Sequence, residues 1–235
     1  MGLFASFDTE VEKAYIITLL GNEVSERYSA QCVQSCIKVG QPHEVWPAFD
    51  GHANPITVPA HSEHSVIMDA VKVTDHYLTR TEVACVLSHL SLWIRCVLLD
   101  RPIVILEHDA VMVRPFLRME RFNSIVWLGS REWAQHKWPQ LMIPIHGSEG
   151  NNYHFILRAH AYAIDPAMAK NLVAHVLEHG ICTSTDVLMR ADLFNISHQG
   201  LYAYDHHVPE FHATTITNRS HEHKTGRPRN DNLEW

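Results

Sequence analysis

Pro102-Ile-Val-Ile-Leu-Glu-His-Asp-Ala-Val111 is the stretch from which the fold is read. Ile103, Val104, Ile105 and Leu106 form a short, unbroken apolar run behind a proline. Such a run is the pattern of a strand buried on both faces, as in a mostly parallel sheet. Glu107 and Asp109 follow at once, where that strand should end. In open α/β sheets, ligands collect outside the carboxyl ends of strands. Two carboxylates there can hold a divalent cation through hard oxygen donors, and through it a diphosphate. A bare Glu-x-Asp is also the pattern of a solvated acidic turn, so the neighbouring segments decide between the two.

Immediately upstream, Thr79-Arg-Thr-Glu82 has the form of a capping box, a hydroxyl with a Glu three residues on. The helix it opens carries Val83, Val86, Leu87, Leu90, Ile94 and Val97 at helical spacing, with Ser88 and His89 on or beside that face. A His on a packed helix is more often a satisfied core residue than a ligand. Further back, Ala14 to Leu20 reads as a first strand closed by Gly21-Asn22, and Glu23 to Val39 as a helix stopped by Gly40. Val24, Tyr28, Cys32 and Cys36 share one face of that helix. No Gly-x-Gly-x-x-Gly or Walker lysine follows the strand, which disfavours dinucleotide and P-loop chemistry. His43 to Phe49 reads as a second strand, and residues 52–74 as an irregular excursion.

Downstream, Ser124 to Leu128 reads as a strand stopped by Gly129. Residues 131–152 show no clear period and read as a long loop, a place where lids and binding loops are found. Phe155 to Ile164 reads as a strand, and Asp165-Pro166 as the cap and start of a helix that Gly180 stops. Thr185-Asp186 begins a short helical turn. The segment from Arg219 onward is polar and basic and reads as a loose tail.

Composition bounds the function. The 235 residues suffice for one α/β domain, and 46% hydrophobic with 19% charged residues is ordinary for a soluble globular protein. A formal charge of −7 gives no general attraction to nucleic acid or anionic lipid, though it leaves room for a local basic cleft. The five cysteines, at 32, 36, 85, 96 and 182, lack zinc-knuckle spacing; Cys32 and Cys36, four apart on a helix, fit two buried thiols better than a disulfide framework, and a reducing compartment is expected. The N-terminal residues have no signal-peptide pattern, and no run approaches the roughly 18 apolar residues of a membrane span. A cytoplasmic protein is therefore expected.

The order of segments resembles glycosyltransferase family 25, which includes bacterial lipooligosaccharide galactosyltransferases and collagen galactosyltransferases. Tyr15-Ile-Ile-Thr-Leu resembles the opening strand of that family, with Arg27 near its downstream arginine. Glu82-Val-Ala-Cys-Val-Leu-Ser-His89, followed by Leu92-Trp93, resembles its Glu-x-x-Cys-x-x-Ser-His helix. Val104-Ile-Leu-Glu-His-Asp-Ala resembles its acidic strand end. Trp127-Leu-Gly129, His160 to Ile164 and Thr185-Asp186 fit later landmarks. The resemblance spans roughly residues 14 to 217. Two departures stand out: His108 where the family has a further acid, and the His212-Ala-Thr-Thr ending.

The resemblance implies an α/β fold of GT-A type, a single domain over residues 1–218 with a mostly parallel central sheet flanked by helices, and a tail over 219–235. It implies an inverting, Mn²⁺- or Mg²⁺-dependent transfer of a sugar from a nucleotide-sugar donor to an acceptor hydroxyl, as in lipopolysaccharide biosynthesis. It assigns Asp109 to the metal with His212, and Asp186 to the catalytic base. It assigns Thr18, Arg27, Ser88, His89, Glu107 and His108 to the donor. An Asp at a helix start also serves as an ordinary N-cap, and His212 also reads as a plain surface residue. A saccharide is the expected acceptor. A hydroxymethylated base in DNA is the alternative, prompted by Arg114, Arg118 and Arg121, which equally suit a solvated helix face. A degenerate sugar-binding or assembly module is the non-enzymatic alternative.

Overall fold

The computed structural model describes residues 8–59, 65–120, 124–130, 145–146, 152–153 and 159–205. The chain begins with β1 (Asp8–Glu10), β2 (Ala14–Thr18), α1 (Glu23–Val39), β3 (His43–Pro47), α2 (Ser65–Met68) and α3 (Arg80–Leu99). It continues with β4 (Ile103–Glu107), β5 (Ala110–Met112), β6 (Arg118–Glu120), β7 (Ile125–Ser130), β8 (Ile145–His146) and β9 (Asn152–Tyr153). The last described elements are β10 (Ala161–Ile164), α4 (Pro166–His179), α5 (Thr185–Leu188) and β11 (Ile196–Asp205).

The main sheet has seven strands in the order β3-β2-β4-β10-β7-β11-β5. β2 runs parallel to β3 and to β4, and β11 runs parallel to β7. β10 runs antiparallel to both β4 and β7, and β5 antiparallel to β11. The sheet is therefore mixed rather than mostly parallel. The strand-helix alternation of the first hundred residues produces the parallel half only, because β10 inserts in the opposite sense beside β4.

Side chains alternate across this sheet as the two-residue period requires. Tyr15, Ile17, Ile103, Ile105, Ile125, Trp127, Tyr162 and Ile164 share one core cluster with apolar residues of α3 and α4. Ala14, Ile16, Val104, Leu106, Val126, Leu128, Ala161 and Ala163 share the other with Cys32 and Cys36 of α1. Ile103 to Leu106 are fully buried, as expected of an interior strand. Burying each such side chain stabilises the fold by about 1.5–3 kcal/mol.

The helix boundaries follow their caps. Thr79 Oγ1 accepts from Glu82 N at 3.2 Å, and Thr79 N donates to a Glu82 carboxylate oxygen at 2.9 Å, so the capping box is complete. Gly40 closes α1 at φ 74°, a left-handed conformation that costs glycine little. Asp165 caps α4 through Met168 N at 2.8 Å and also accepts from Ser124 N at 2.9 Å. The buried face of α1 holds serines as well as Tyr28, Cys32 and Cys36. Each serine is satisfied: Ser25 accepts from Leu19 N, Ser29 bonds Thr18, and Ser35 accepts from Met112 N.

Several expectations change. By length and composition alone α3 can cross a bilayer, contrary to the reading that no run approaches a span. Ser88, His89, Ser91 and Arg95 interrupt the apolar run without lowering its average enough, and most of the helix is buried inside the protein as its central core element. Arg118 lies on strand β6, opposite Glu10 of β1, and the Arg114 guanidinium sits 3.8 Å from the centroid of the Tyr202 ring, so these residues share no helix face. Arg121 lies outside the described residues. The long loop read over 131–152 also lies mostly outside them; its described parts, β8 and β9, pair antiparallel. The segment 52–74 contains the short helix α2. The strand expected from Phe155 is described only as β10, and the tail from Arg219 is outside the described residues. None of the five cysteines is in a disulfide.

Candidate functional site

A cleft open to solvent lies at the carboxyl ends of the three neighbouring parallel strands. Ile17 and Leu19 come from the end of β2, Ala48 and Phe49 from the end of β3, and Glu107, His108 and Asp109 from the end of β4. Thr81, Ala84, Cys85, Ser88 and His89 of α3 form the facing wall. This is where the strand-end rule for α/β sheets puts a ligand. The sheet alternation sets the directions of the acidic triplet. Glu107 continues the Ile103, Ile105 side and meets His89 of α3, with Nε2 and Oε1 3.3 Å apart. His108 turns toward α1, where its ring centroid is 6.4 Å from that of Tyr28.

His89 is fully buried and held from behind. Its Nδ1 is 2.8 Å from the Tyr162 hydroxyl, which also accepts from Trp93 Nε1 at 2.9 Å. The His89 and Tyr162 rings stack with centroids 5.7 Å apart. Burial by itself would push the Glu107 carboxyl up. The hydrogen bond from His89 and the positive charges of His89, His108 and His160 outweigh it and hold the group at about 2. Glu107 is thus an anion across the neutral range.

β10 brings two further residues to this edge because it runs antiparallel to β4. Its lead-in, Ala159-His160, lies beside the end of β4, and Glu107 N donates to His160 O at 2.8 Å. The His160 ring packs where a Cβ on residue 129 would stand, 2.4 Å from its Nε2, so Gly129 is required there by close approach. Asp186 Oδ1 accepts from Ala159 N at 3.2 Å. Asp186 is in the first turn of α5, not its N-cap, which is Ser184. Its neighbour Thr185 has its hydroxyl 3.6 Å from Cys85 Sγ on the cleft wall.

The structure thus gathers Ser88, His89, Glu107, His108 and Asp109 around one cleft, with Asp186 beside its wall. Ser88 is committed to the backbone, accepting from Phe49 N at 3.0 Å and donating to Ala84 O at 2.7 Å. It fixes the β3 end against α3. Thr18 is buried away from the lining, with its hydroxyl 2.7 Å from Ser29 Oγ and 3.1 Å from Ile16 O. Arg27 is exposed on α1 and does not line the cleft, and His212 lies outside the described residues. Sequence reasoning missed Tyr162 and Trp93 as the support of His89. The available signal was a hydroxyl in the middle of the apolar run Ala161-Tyr-Ala-Ile164.

A protein-family comparison matches residues 12–189 to Glycosyltransferase family 25 (LPS biosynthesis protein). No curated protein matches the chain.

Proposed function

Since the chain belongs to glycosyltransferase family 25, and its chemistry is therefore glycosyl transfer, we propose that this cleft moves a sugar from a nucleotide-sugar to a saccharide hydroxyl with inversion. The observation that carries the reading is the meeting of Glu107, His108 and Asp109 with the Ser88-His89 face of α3 at the ends of three parallel strands. A fold of GT-A type is the corresponding reading of the parallel half of the sheet.

The carboxylates of Glu107 and Asp109 are hard oxygen donors, which suits Mn²⁺ or Mg²⁺. When bound, such a cation supplies Lewis-acid stabilisation of charge on the leaving diphosphate. Asp109 holds it in this reading, with His212 as the further ligand implied by the resemblance. Glu107, kept ionised and oriented by His89, faces the donor ribose or a water on the cation. His108 presents its ring from the α1 side in place of an acid, so the site carries one carboxylate fewer. Asp186 takes the acceptor proton, a contribution of about 10² to 10⁴ in rate for a general base.

The test separates binding from chemistry. A panel of nucleotide-sugars is screened by thermal shift with and without Mn²⁺; a ligand at 100 times its Kd adds about 2.7 kcal/mol of apparent stability. For the donor so found, Asp109→Asn should weaken Mn²⁺-dependent binding along with turnover. Asp186→Asn should leave donor binding nearly intact and lower kcat, as expected for an interaction made in the transition state. Donor binding abolished by Asp186→Asn and kept by Asp109→Asn would reverse the two assignments.

A further inference from the structure

The cleft wall carries a second donor set whose chemistry differs from that of the acidic triplet. Cys85 and His89 are four residues apart on α3 and so project from one face of a stiff helix. A Cys85 sulfur, a His89 ring nitrogen and a Glu107 carboxylate oxygen all lie within 4.8 Å of one another. A tetrahedral ion with a thiolate at about 2.3 Å and nitrogen and oxygen at about 2.0–2.2 Å spaces its ligand atoms roughly 3.3–3.7 Å apart. His89 Nε2 and Glu107 Oε1, at 3.3 Å, already have that separation.

The surroundings suit coordination as well. In the metal-free site Nε2 of His89 holds its proton toward Glu107; once that proton leaves, with Nδ1–H kept on the Tyr162 oxygen 2.8 Å away, the freed lone pair faces Glu107 and Cys85. A hydrogen bond on the far ring nitrogen is the usual means of fixing a ligating histidine. Trp93 anchors the same phenol from the core, so the ring is positioned without rearrangement. The Thr185 hydroxyl, 3.6 Å from the sulfur, can donate to a thiolate.

We propose that Cys85, His89 and Glu107 bind one zinc-class divalent ion on the wall of the cleft, leaving a fourth position open to the cleft. On binding, the Cys85 thiol and the His89 Nε2–H that faces Glu107 both lose their protons to solvent, so that the ligands are a thiolate, a neutral imidazole and the Glu107 carboxylate. The thiolate and imidazole select a borderline ion over Mg²⁺, so this site is distinct from the hard-cation role given to Asp109. It rests on the placement of three atoms and not on the transfer reaction. Occupancy ties up Glu107 and thereby withdraws it from any donor.

The experiment uses untagged, metal-stripped protein titrated with Co²⁺ as the probe. One equivalent should bind and produce a thiolate-to-cobalt charge-transfer band that excess Zn²⁺ abolishes and excess Mg²⁺ does not. Cys85→Ser should remove the band and weaken binding by at least about the 10- to 100-fold that loss of a mere supporting contact costs. Cys182→Ser, at an exposed thiol off the cleft, should retain it. Should Cys85→Ser fail to fold, X-ray absorption on the wild-type zinc form decides, with one sulfur expected at about 2.3 Å. A first shell without sulfur, or a band that survives Cys85→Ser or is lost in Cys182→Ser, would overturn the proposal.

Discussion

Glu107 concentrates the chemistry of the site in one side chain. Burial pushes its carboxyl up, yet the His89 hydrogen bond and the positive charges of His89, His108 and His160 bring it from 4.5 to about 2. A carboxyl whose folded value lies below its unfolded one contributes stability above the unfolded value. That contribution is lost as the pH falls from about 4.5 toward about 2. The difference in unfolding free energy between the wild type and Glu107→Gln should therefore be present at about pH 5 and shrink on the way to about pH 3. Urea melts across that range measure it, and a difference that stays constant would mean His89 does not hold the anion. Much of this was legible in the sequence. Strand alternation alone sends Glu107 and His108 to opposite faces, and the Ser88-His89 pair read as part of the same site. The support from Tyr162 was not legible, because it joins residues 73 apart in the chain. Nor was the commitment of Thr18 to Ser29, which depends on how α1 settles on β2.

Helix α3 forms one wall of the cleft and most of one core layer, so its start matters to both. Thr79 satisfies the Glu82 N–H and Glu82 returns the bond to the Thr79 N–H. Thr79→Ala removes the first and leaves a helix-terminal donor to solvent, at a cost of about 1 kcal/mol, within the 0.5–2 range for lost caps. Thr79→Ser should recover most of it. Denaturant melts of the two variants check this; equal stability of Thr79→Ala and wild type would show that packing alone sets the helix start. Elements with such chemical punctuation were the ones readable from sequence. Asn22 and Gly40 bound α1, Thr79 starts α3, and Asp165 and Gly180 bound α4. β11 carries no such signal: Ile196-Ser-His-Gln-Gly-Leu-Tyr-Ala-Tyr-Asp205 includes a glycine and an irregular register against β7. β1, β5 and β6 are three residues each, too short to show a period.

At the scale of the whole molecule, the mixed sheet decides where the site can be. β3, β2 and β4 are the three adjacent strands that point their carboxyl ends the same way, and the cleft lies there, separated by the reversed β10 from β7 and β11, which share that direction. β10, entering antiparallel, delivers its lead-in residues to the same edge and couples Glu107 to His160 and Ala159 to Asp186. One edge thus receives residues from both halves of the chain, an arrangement set by long-range pairing that local patterning does not reveal. The acceptor must approach a molecule of formal charge −7. Two arginines once open to a DNA reading are otherwise placed: Arg114 stacks on Tyr202, and Arg118 lies on β6 opposite Glu10. A saccharide acceptor has no phosphate charges to neutralise, so its KM should change little between 50 and 200 mM salt. A DNA acceptor held through about six to ten phosphate contacts would lose on the order of 10³ to 10⁵ in affinity over that interval, because each neutralised phosphate releases bound counterions. Initial rates against acceptor concentration at the two salt levels, with donor and Mn²⁺ saturating, distinguish the cases. The expected result is a nearly flat KM; a steep rise would replace the saccharide with a polyanionic acceptor while leaving the donor half of the cleft as described.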